Sequence, residues 1–292
     1  MSKPMRLHGT LDVGMLFREF RGKIAITWFL VLLENLLWAL VPLFIGRAID
    51  ALLASEPGAL IELAAVMLAL VVVAVGARLY DTRAYGTMRV HFGAELVNRI
   101  REQPVSRVNA RLDMSREMVD FLEEHVPELL TSVVQVLVSI VILWSFDVRL
   151  GVSGVCALLA LSGVYALFHR RFYRLNAGLN AQTERQVSIL EQRRHEPLFV
   201  HLMKLRRREV RLSDTEALLY GVIFVGMFAF ILANLWFATS IEAITAGMIF
   251  VILSYTWELV DSGVALPAVL QQWTRLSEIR ERINAPSDAR AD

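Results

Sequence analysis

Six long apolar stretches dominate the pattern of polar and apolar positions along the chain. A hydrocarbon core of about 30 Å needs roughly 20 helical residues to cross it, and each stretch is long enough. Glycine and proline inside such stretches are common in membrane helices and do not argue against them. The pattern predicts an all-α membrane protein with transmembrane helices at 24–48, 59–80, 128–146, 150–168, 217–238, and from about 241 past 259.

The links between these stretches are very unequal in length. Three are short turns, whereas the second-to-third and fourth-to-fifth links cover residues 81–127 and 169–216. Both long links carry apolar residues at three-and-four spacing, which is typical of amphipathic helices. We expect each link to leave the membrane as a helix, turn, and return. At 1.5 Å per residue, about 20 residues in each direction project roughly 30 Å.

Positive charge is confined to alternate links. Of the 30 Lys and Arg residues, 28 lie in or within one helical turn of the N-terminal arm, the two long links or the segment after the sixth apolar stretch, and only Arg47 and Arg149 lie at the short turns. Since positive residues stay on the cytoplasmic side, both termini and both long links are predicted to be cytoplasmic. The domain prediction is an elbow segment at 1–23, a transmembrane domain at 24–284 and a polar tail at 285–292.

The overall charge balance adds two expectations. The formal net charge is only +1, and long apolar runs separate the basic residues, so no nucleic-acid partner is expected. Arginine outnumbers lysine by 27 to 3, which is typical of a GC-rich bacterial genome. We therefore expect a multi-pass protein in the lipid bilayer of a bacterial inner membrane.

Four segments of the chain carry a recognisable pattern. They are VPLFIGRAIDALL (41–53), ELVNRIREQPVSRVNARLDMSREMVDFLEEHVPELL (95–130), ERQVSILEQ (184–192), and ITAGMIFVILSYTWELV with LQQWTRLSEIRERIN (244–260 and 270–284). In this order and helix layout they resemble the transmembrane half of an ABC exporter of the six-helix type. The resemblance implies the ABC exporter transmembrane fold, with two cytoplasmic helical extensions and a domain-swapped homodimer that works by alternating access.

The sequence departs from that family in one respect. Half-transporters of this kind continue into a nucleotide-binding domain, whereas this sequence ends at Asp292 and contains no G-x-x-x-x-G-K-[ST] loop. We therefore expect no enzyme activity and no cofactor. The chain would be served by a separately encoded ATPase subunit, or would run on a proton gradient like the similar ATPase-free peptide transporters. A non-transporting membrane scaffold or sensor is the alternative.

Acidic residues inside the apolar stretches are the main candidates for a working site. A charge at mid-bilayer costs roughly 2.5–3.5 kcal/mol and usually faces a cavity or a partner. Glu34 lies near the middle of the first stretch, beside Asn35 and one turn before Trp38. Glu258 and Asp261 share one face of the sixth helix. These five residues are predicted to bind substrate or to couple protons. They could instead be structural, through a hydrogen-bonded protonated Glu34 and ion pairs at the interface.

Other polar residues within the helices leave the same choice open. Gln135 stands between Thr131 and Ser139 at four-residue spacing on the third helix. Such residues can line a polar path or serve helix packing, and packing is the commoner use in membranes. Asn234 on the fifth helix has the same two interpretations. With the acidic and aromatic residues, they would suit an amphipathic or cationic cargo, such as a peptide.

The turns of the two long links are candidates for coupling to an ATPase. Pro104 and Arg107 lie near the midpoint of the first link, and Pro197 and Arg206 lie in the second. The arginines of the second link could instead attract anionic lipid headgroups. The histidines form no i, i+4 pair with another His or a Cys, so no metal site is expected.

Overall fold

The computed structural model of the chain describes residues 13–100, 104–191 and 195–284. These ranges are helical almost throughout, and six of the helical stretches are long and apolar enough to cross a membrane. The prediction of an all-α protein with six membrane-spanning helices is therefore confirmed. The helices are α1 (Val13–Leu53), α2 (Ala59–Arg99), α3 (Val105–Asp120), α4 (Val126–Phe146), α5 (Val148–Glu184), α6 (Gln186–Glu191), α7 (His195–Thr239) and α8 (Ala246–Asn284), and a π-helical turn, Phe121–His125, joins α3 to α4.

Several helices are much longer than a membrane is thick. Helix α2 has 41 residues and α7 has 45, so each is roughly 60 Å or more in length, about twice the hydrocarbon core. The extra length lies in the two long links of the chain, and their projection into the cytoplasm stays a prediction. In the first link, α2 ends at Arg99 and α3 begins at Val105. In the second, Pro197 lies in the first turn of α7, where its missing N–H is tolerated.

The chain divides into two compact units. Unit 1 comprises residues 1–142 and 242–292, and unit 2 comprises residues 143–241. In unit 1, α1 packs against both α2 and α8, and α3 packs against α2. In unit 2, the main contact is between the long helices α5 and α7.

A buried aromatic and aliphatic cluster forms the core of unit 1. Ile24 belongs to it and is only 2% exposed, together with side chains from α2, α3 and the π-turn, among them Met88, Phe92, Met118 and Leu122. Met88 and Phe92 lie beyond Tyr80, where the second apolar stretch was predicted to end. One side of the first turns of the first apolar stretch, with Ile24 and Trp28, therefore packs on protein, whereas Ile26 and Phe29 are exposed.

The contact between α1 and α8 is held by one carboxylate and two glycines. Asp50 on α1 accepts hydrogen bonds from the Thr245 hydroxyl at 2.6 Å and from the Gly247 N–H at 2.8 Å. Thr245 in turn accepts the Met248 N–H at 3.1 Å, as an N-cap residue does. A Cβ on Gly46 would lie 2.8 Å from the Gly247 carbonyl oxygen, so the two backbones are in close approach.

Helix α8 begins at Ala246, about five residues later than the sequence predicted. Ala243 has a φ of 55°, in the left-handed region, and Thr245 caps the helix that follows. The apolar residues at 241 and 244 therefore belong to the turn after α7. The start of α8 was predicted too early because a hydropathy pattern does not reveal an N-cap residue such as Thr245.

Polar side chains tie the two long helices of unit 2 together. The Ser153 hydroxyl on α5 donates to Asn234 Oδ1 on α7 at 2.5 Å, and Asn234 is fully buried. Toward the other end of the pair, Gln182 Nε2 lies 2.7 Å from His201 Nδ1, and both side chains are buried. At the start of α5, Asp147 accepts the Arg149 N–H at 2.7 Å and caps the helix.

Candidate functional site

Unit 1 contains a cavity of about 530 Å³ whose wall carries four carboxylates. We call it the acidic cavity. It is lined by α1, α2, the π-turn and the first turns of α4. The acidic residues are Glu34, Asp81, Glu123 and Glu128, and the one arginine in the described lining is Arg78.

One face of α1 forms the first wall of the acidic cavity. Val31, Glu34, Asn35 and Trp38 follow the i, i+3, i+4, i+7 spacing that places side chains on one side of a helix. Asn35 is buried, and its Nδ2 donates to the Val31 carbonyl at 2.8 Å and to Thr131 Oγ1 of α4 at 2.9 Å. Trp38 is 51% exposed. The face therefore combines a fixed amide, a carboxylate and an accessible aromatic ring.

Helices α2 and α4 form the other walls. On α2, the lining consists of the small residues Ala74 and Ala77 and the charged residues Arg78 and Asp81. On α4, the lining includes Gln135, whose Oε1 accepts a hydrogen bond from Ser262 of α8 at 3.0 Å. Hydrogen bonds thus fix two lining residues of α4 to other helices, Thr131 to α1 and Gln135 to α8.

The four carboxylates differ in their partners. Glu123 forms an ion pair with Arg89, which also binds Asp120 through two donors at 2.8 and 2.6 Å. Glu128 lies 3.5 Å from His125 Nδ1. Among the described residues, Glu34 and Asp81 form no ion pair, and Asp81 Oδ1 is buried without a hydrogen-bond partner. The cavity can therefore offer two carboxylates that form no ion pair, with Arg78 in the same lining, to a positively charged group.

The acidic cavity brings together four of the residues singled out from the sequence, namely Glu34, Asn35, Trp38 and Gln135. Their role in substrate binding or proton coupling stays a prediction. The other three lie elsewhere. On α8, Glu258 is half-buried and Asp261 is exposed, and neither is among the described lining residues. Asn234 lies in unit 2, bonded to Ser153.

Sequence reasoning missed Arg78, Asp81, Glu123 and Glu128 as members of this site. Arg78 and Asp81 follow the second apolar stretch closely, where charged residues are normally interpreted as interfacial. Only the antiparallel pairing of α1 with α2 places Asp81 beside Glu34. The sequence signal for this site was Asp81, just past the end of the second apolar stretch, opposite Glu34 within the first.

The predicted coupling residues lie on the extensions. Pro104 is exposed and immediately precedes α3, and Arg206 is exposed on α7. Arg107 lies in α3, but its side chain is outside the described part of the structure. Pro197 lines a second cavity of about 350 Å³ in unit 2. Coupling to a partner stays a prediction for all four.

No metal site is formed by the part of the chain that the structure describes. Within it, no group of three or more His, Cys, Asp or Glu side chains could hold a metal ion. The acidic cavity, with its carboxylates, amides and indole ring, is suited to binding a polar or cationic organic molecule.

Comparison with known proteins identifies the family of this chain. A search of curated proteins found no match. The sequence model of one family, the ABC transporter transmembrane region, matches residues 14–247. That range runs from the beginning of α1 to the first residues of α8 and covers well over half of the chain. The protein therefore belongs to the family of ABC transporter transmembrane regions.

Proposed function

We propose that this protein is a membrane transporter that moves a small amphipathic or cationic molecule, such as a peptide, across a bacterial inner membrane. The observation that carries the proposal is the acidic cavity, enclosed by helices of an ABC transporter transmembrane region. Carboxylates within apolar helices are expensive to insert, and they commonly mark a substrate or proton pathway.

The cavity wall favours a positively charged cargo. Glu34 and Asp81 form no ion pair with a described residue, although Arg78 lies near Asp81, so an ammonium or guanidinium group would gain from both carboxylates. The half-exposed ring of Trp38 adds a surface on which a cation or an apolar group can lie. An amphipathic molecule with at least one positive charge matches these walls best.

Alternating access would follow from a homodimer of twelve helices. Six helices enclose too little space for a transport path, and α7 exposes large apolar side chains that suit either lipid or a second copy, among them Phe224, Phe228, Leu232 and Trp236. In a gradient-driven cycle, protonation of Glu34 would favour a closed cavity, because a neutral carboxyl tolerates apolar surroundings. In an ATPase-driven cycle, the extension turns near Pro104 and Pro197 would contact the ATPase.

The role of Glu34 is tested by Glu34→Gln in proteoliposomes that carry a pH gradient, with uptake of a fluorescent organic cation as the readout. We expect the variant to fold and to lose the pH dependence of flux. The matched control is Glu62→Gln, which removes a carboxylate from α2 that pairs with Arg47 at 3.1 Å and does not line the cavity. Full pH-dependent flux in Glu34→Gln would remove its coupling role, and no flux in the wild type with or without a co-purified ATPase would favour a scaffold.

The energy source is decided by gentle purification from the native host, followed by mass spectrometry and an ATP-hydrolysis assay. A stoichiometric nucleotide-binding subunit would identify an ATPase-driven transporter, in which the carboxylates only line the cavity. A homodimer without ATPase activity would favour the proton gradient, and the Glu34→Gln measurement would then decide the coupling group.

A further inference from the structure

The π-turn between α3 and α4 leaves one buried carbonyl without a backbone partner. At its end, the Val126 N–H bonds to the Phe121 carbonyl, five residues back, and not to Leu122. The next candidate donor for Leu122 would be residue 127, which is a proline and has no N–H. Leu122 is fully buried, and a buried carbonyl without a hydrogen bond is strongly unfavourable.

A side chain of α2 satisfies that carbonyl. The Tyr85 hydroxyl donates to the Leu122 oxygen at 3.0 Å, and Tyr85 is itself fully buried in the core of unit 1. Four residues further along the same face of α2, Arg89 binds Asp120 and Glu123, which lie on either side of Leu122. Two side chains of α2 therefore hold the π-turn, one at its free carbonyl and one at its carboxylates.

The π-turn decides which residues face the acidic cavity. It takes one more residue than an α-helical turn, so it offsets the faces of α3 and α4 by one residue, or about 100°. Glu123 lies within the turn, whereas Glu128 and Thr131 line the cavity from α4. A regular α-helix through 121–125 would rotate Glu123 away from the side that Glu128 occupies.

We propose that Tyr85 is a positioning residue that, together with Pro127, maintains the π-turn and thereby keeps Glu123 in the acidic cavity. The significance of Glu123 rests on the proposed transport function, but the geometry does not, and it is tested without any transport measurement. A failure of transport with the predicted structural change intact would count only against the proposed function.

The first experiment is hydrogen exchange in the purified full chain, followed by mass spectrometry of peptides that cover residues 119–130. Tyr85→Phe removes only the hydroxyl, and amides in this segment should then exchange about tenfold faster, since a buried carbonyl loses its donor. Tyr80→Phe is the matched control, because it removes a hydroxyl from the same helix and no hydrogen bond of the Tyr80 side chain is found in the described structure. Equal exchange in the two variants would overturn the proposal.

The second experiment measures the rotation directly. Spin labels at Val105 and Val141, which are 84% and 66% exposed, report on α3 and α4 across the turn in a Cys156→Ser background. Pro127→Ala restores an N–H, so with Tyr85→Phe it should let the segment become α-helical and shift the distance distribution. The same distribution as in the wild type would overturn the proposal.

The folding of the variants tests the role of Pro127. If Tyr85→Phe aggregates on gel filtration, adding Pro127→Ala should restore a monodisperse peak. In an α-helical segment the new N–H of residue 127 bonds to the Glu123 carbonyl, and the Val126 N–H bonds to the Leu122 carbonyl, so the backbone satisfies both. A double variant that still aggregates would contradict the role given to the proline.

Discussion

Replacing Gly247 by alanine should force α8 away from α1. A Cβ at this position would fall on the Gly46 carbonyl oxygen and would lie 2.5 Å from Asp50 Oδ2. Real Cβ atoms do not come this close to other heavy atoms. The nearest atom, the Gly46 carbonyl oxygen, belongs to the backbone and cannot rotate away as a side chain could. The helices must therefore separate, and the bonds from Asp50 to Thr245 and Gly247 lengthen with them.

The magnitude follows from two terms. Overpacking of a close contact typically costs about 1–3 kcal/mol. Hydrogen bonds between membrane helices are worth about 0.6 kcal/mol on average and up to about 1.7 kcal/mol, and Asp50 makes two of them to the start of α8. We expect Gly247→Ala to lower the free energy of unfolding by about 2–5 kcal/mol.

Thermal unfolding in detergent, followed by gel filtration of the remaining soluble protein, measures this loss. At about 2–4 °C per kcal/mol for a chain of a few hundred residues, the midpoint should fall by roughly 5 °C or more. The control is Gly76→Ala on α2, where a Cβ meets nothing within 4 Å and the better helix propensity of alanine should leave stability unchanged or slightly higher. Equal midpoints for the two variants would refute the close-contact reasoning.

Two further predictions concern individual hydrogen bonds. A double-mutant cycle of Asn35→Leu and Thr131→Val, read out as unfolding free energy, should show a coupling of about 0.6–1.7 kcal/mol, and additive effects would contradict the 2.9 Å bond between them. The hydrogen bonds from Arg149 hold the pKa of Asp147 below its ordinary value of 3.8, so the stabilisation from this cap is complete above about pH 4 and disappears as the pH falls through the lowered pKa. Asp147→Ala should remove that acid-dependent part of the unfolding midpoint, and an unchanged pH profile would show that the cap contributes nothing.

The number of spans and the helical character of the long links could be predicted from the sequence, because apolar runs of about 20 residues and the three-and-four pattern of the links are strong local signals. The pairing of Glu34 with Asp81 in one cavity could not be predicted. Glu34 lies near the middle of the first apolar stretch, yet it lines the same cavity as Asp81, which follows Tyr80 at the end of the second. Hydropathy does not distinguish lipid from protein core, and Ile24, within the first apolar stretch, belongs to a protein core with Met88 and Phe92.

The segments that carry the family resemblance have a structural explanation in the α1–α8 contact. Gly46 and Asp50 come from segment 41–53, and Thr245 and Gly247 come from segment 244–260, and these four residues form one junction. The two segments depend on each other. The Asp50 carboxylate needs the donors of Thr245 and Gly247 at the start of α8, and the two backbones can approach closely only because Gly46 and Gly247 both lack a side chain. This junction stabilises the fold, and none of its residues is among the described lining of the acidic cavity. Candidate determinants of cargo binding are therefore to be sought in the acidic cavity. Its residues Glu34 and Asp81 lie outside the four segments of the resemblance, whereas Glu123 and Glu128 lie in segment 95–130.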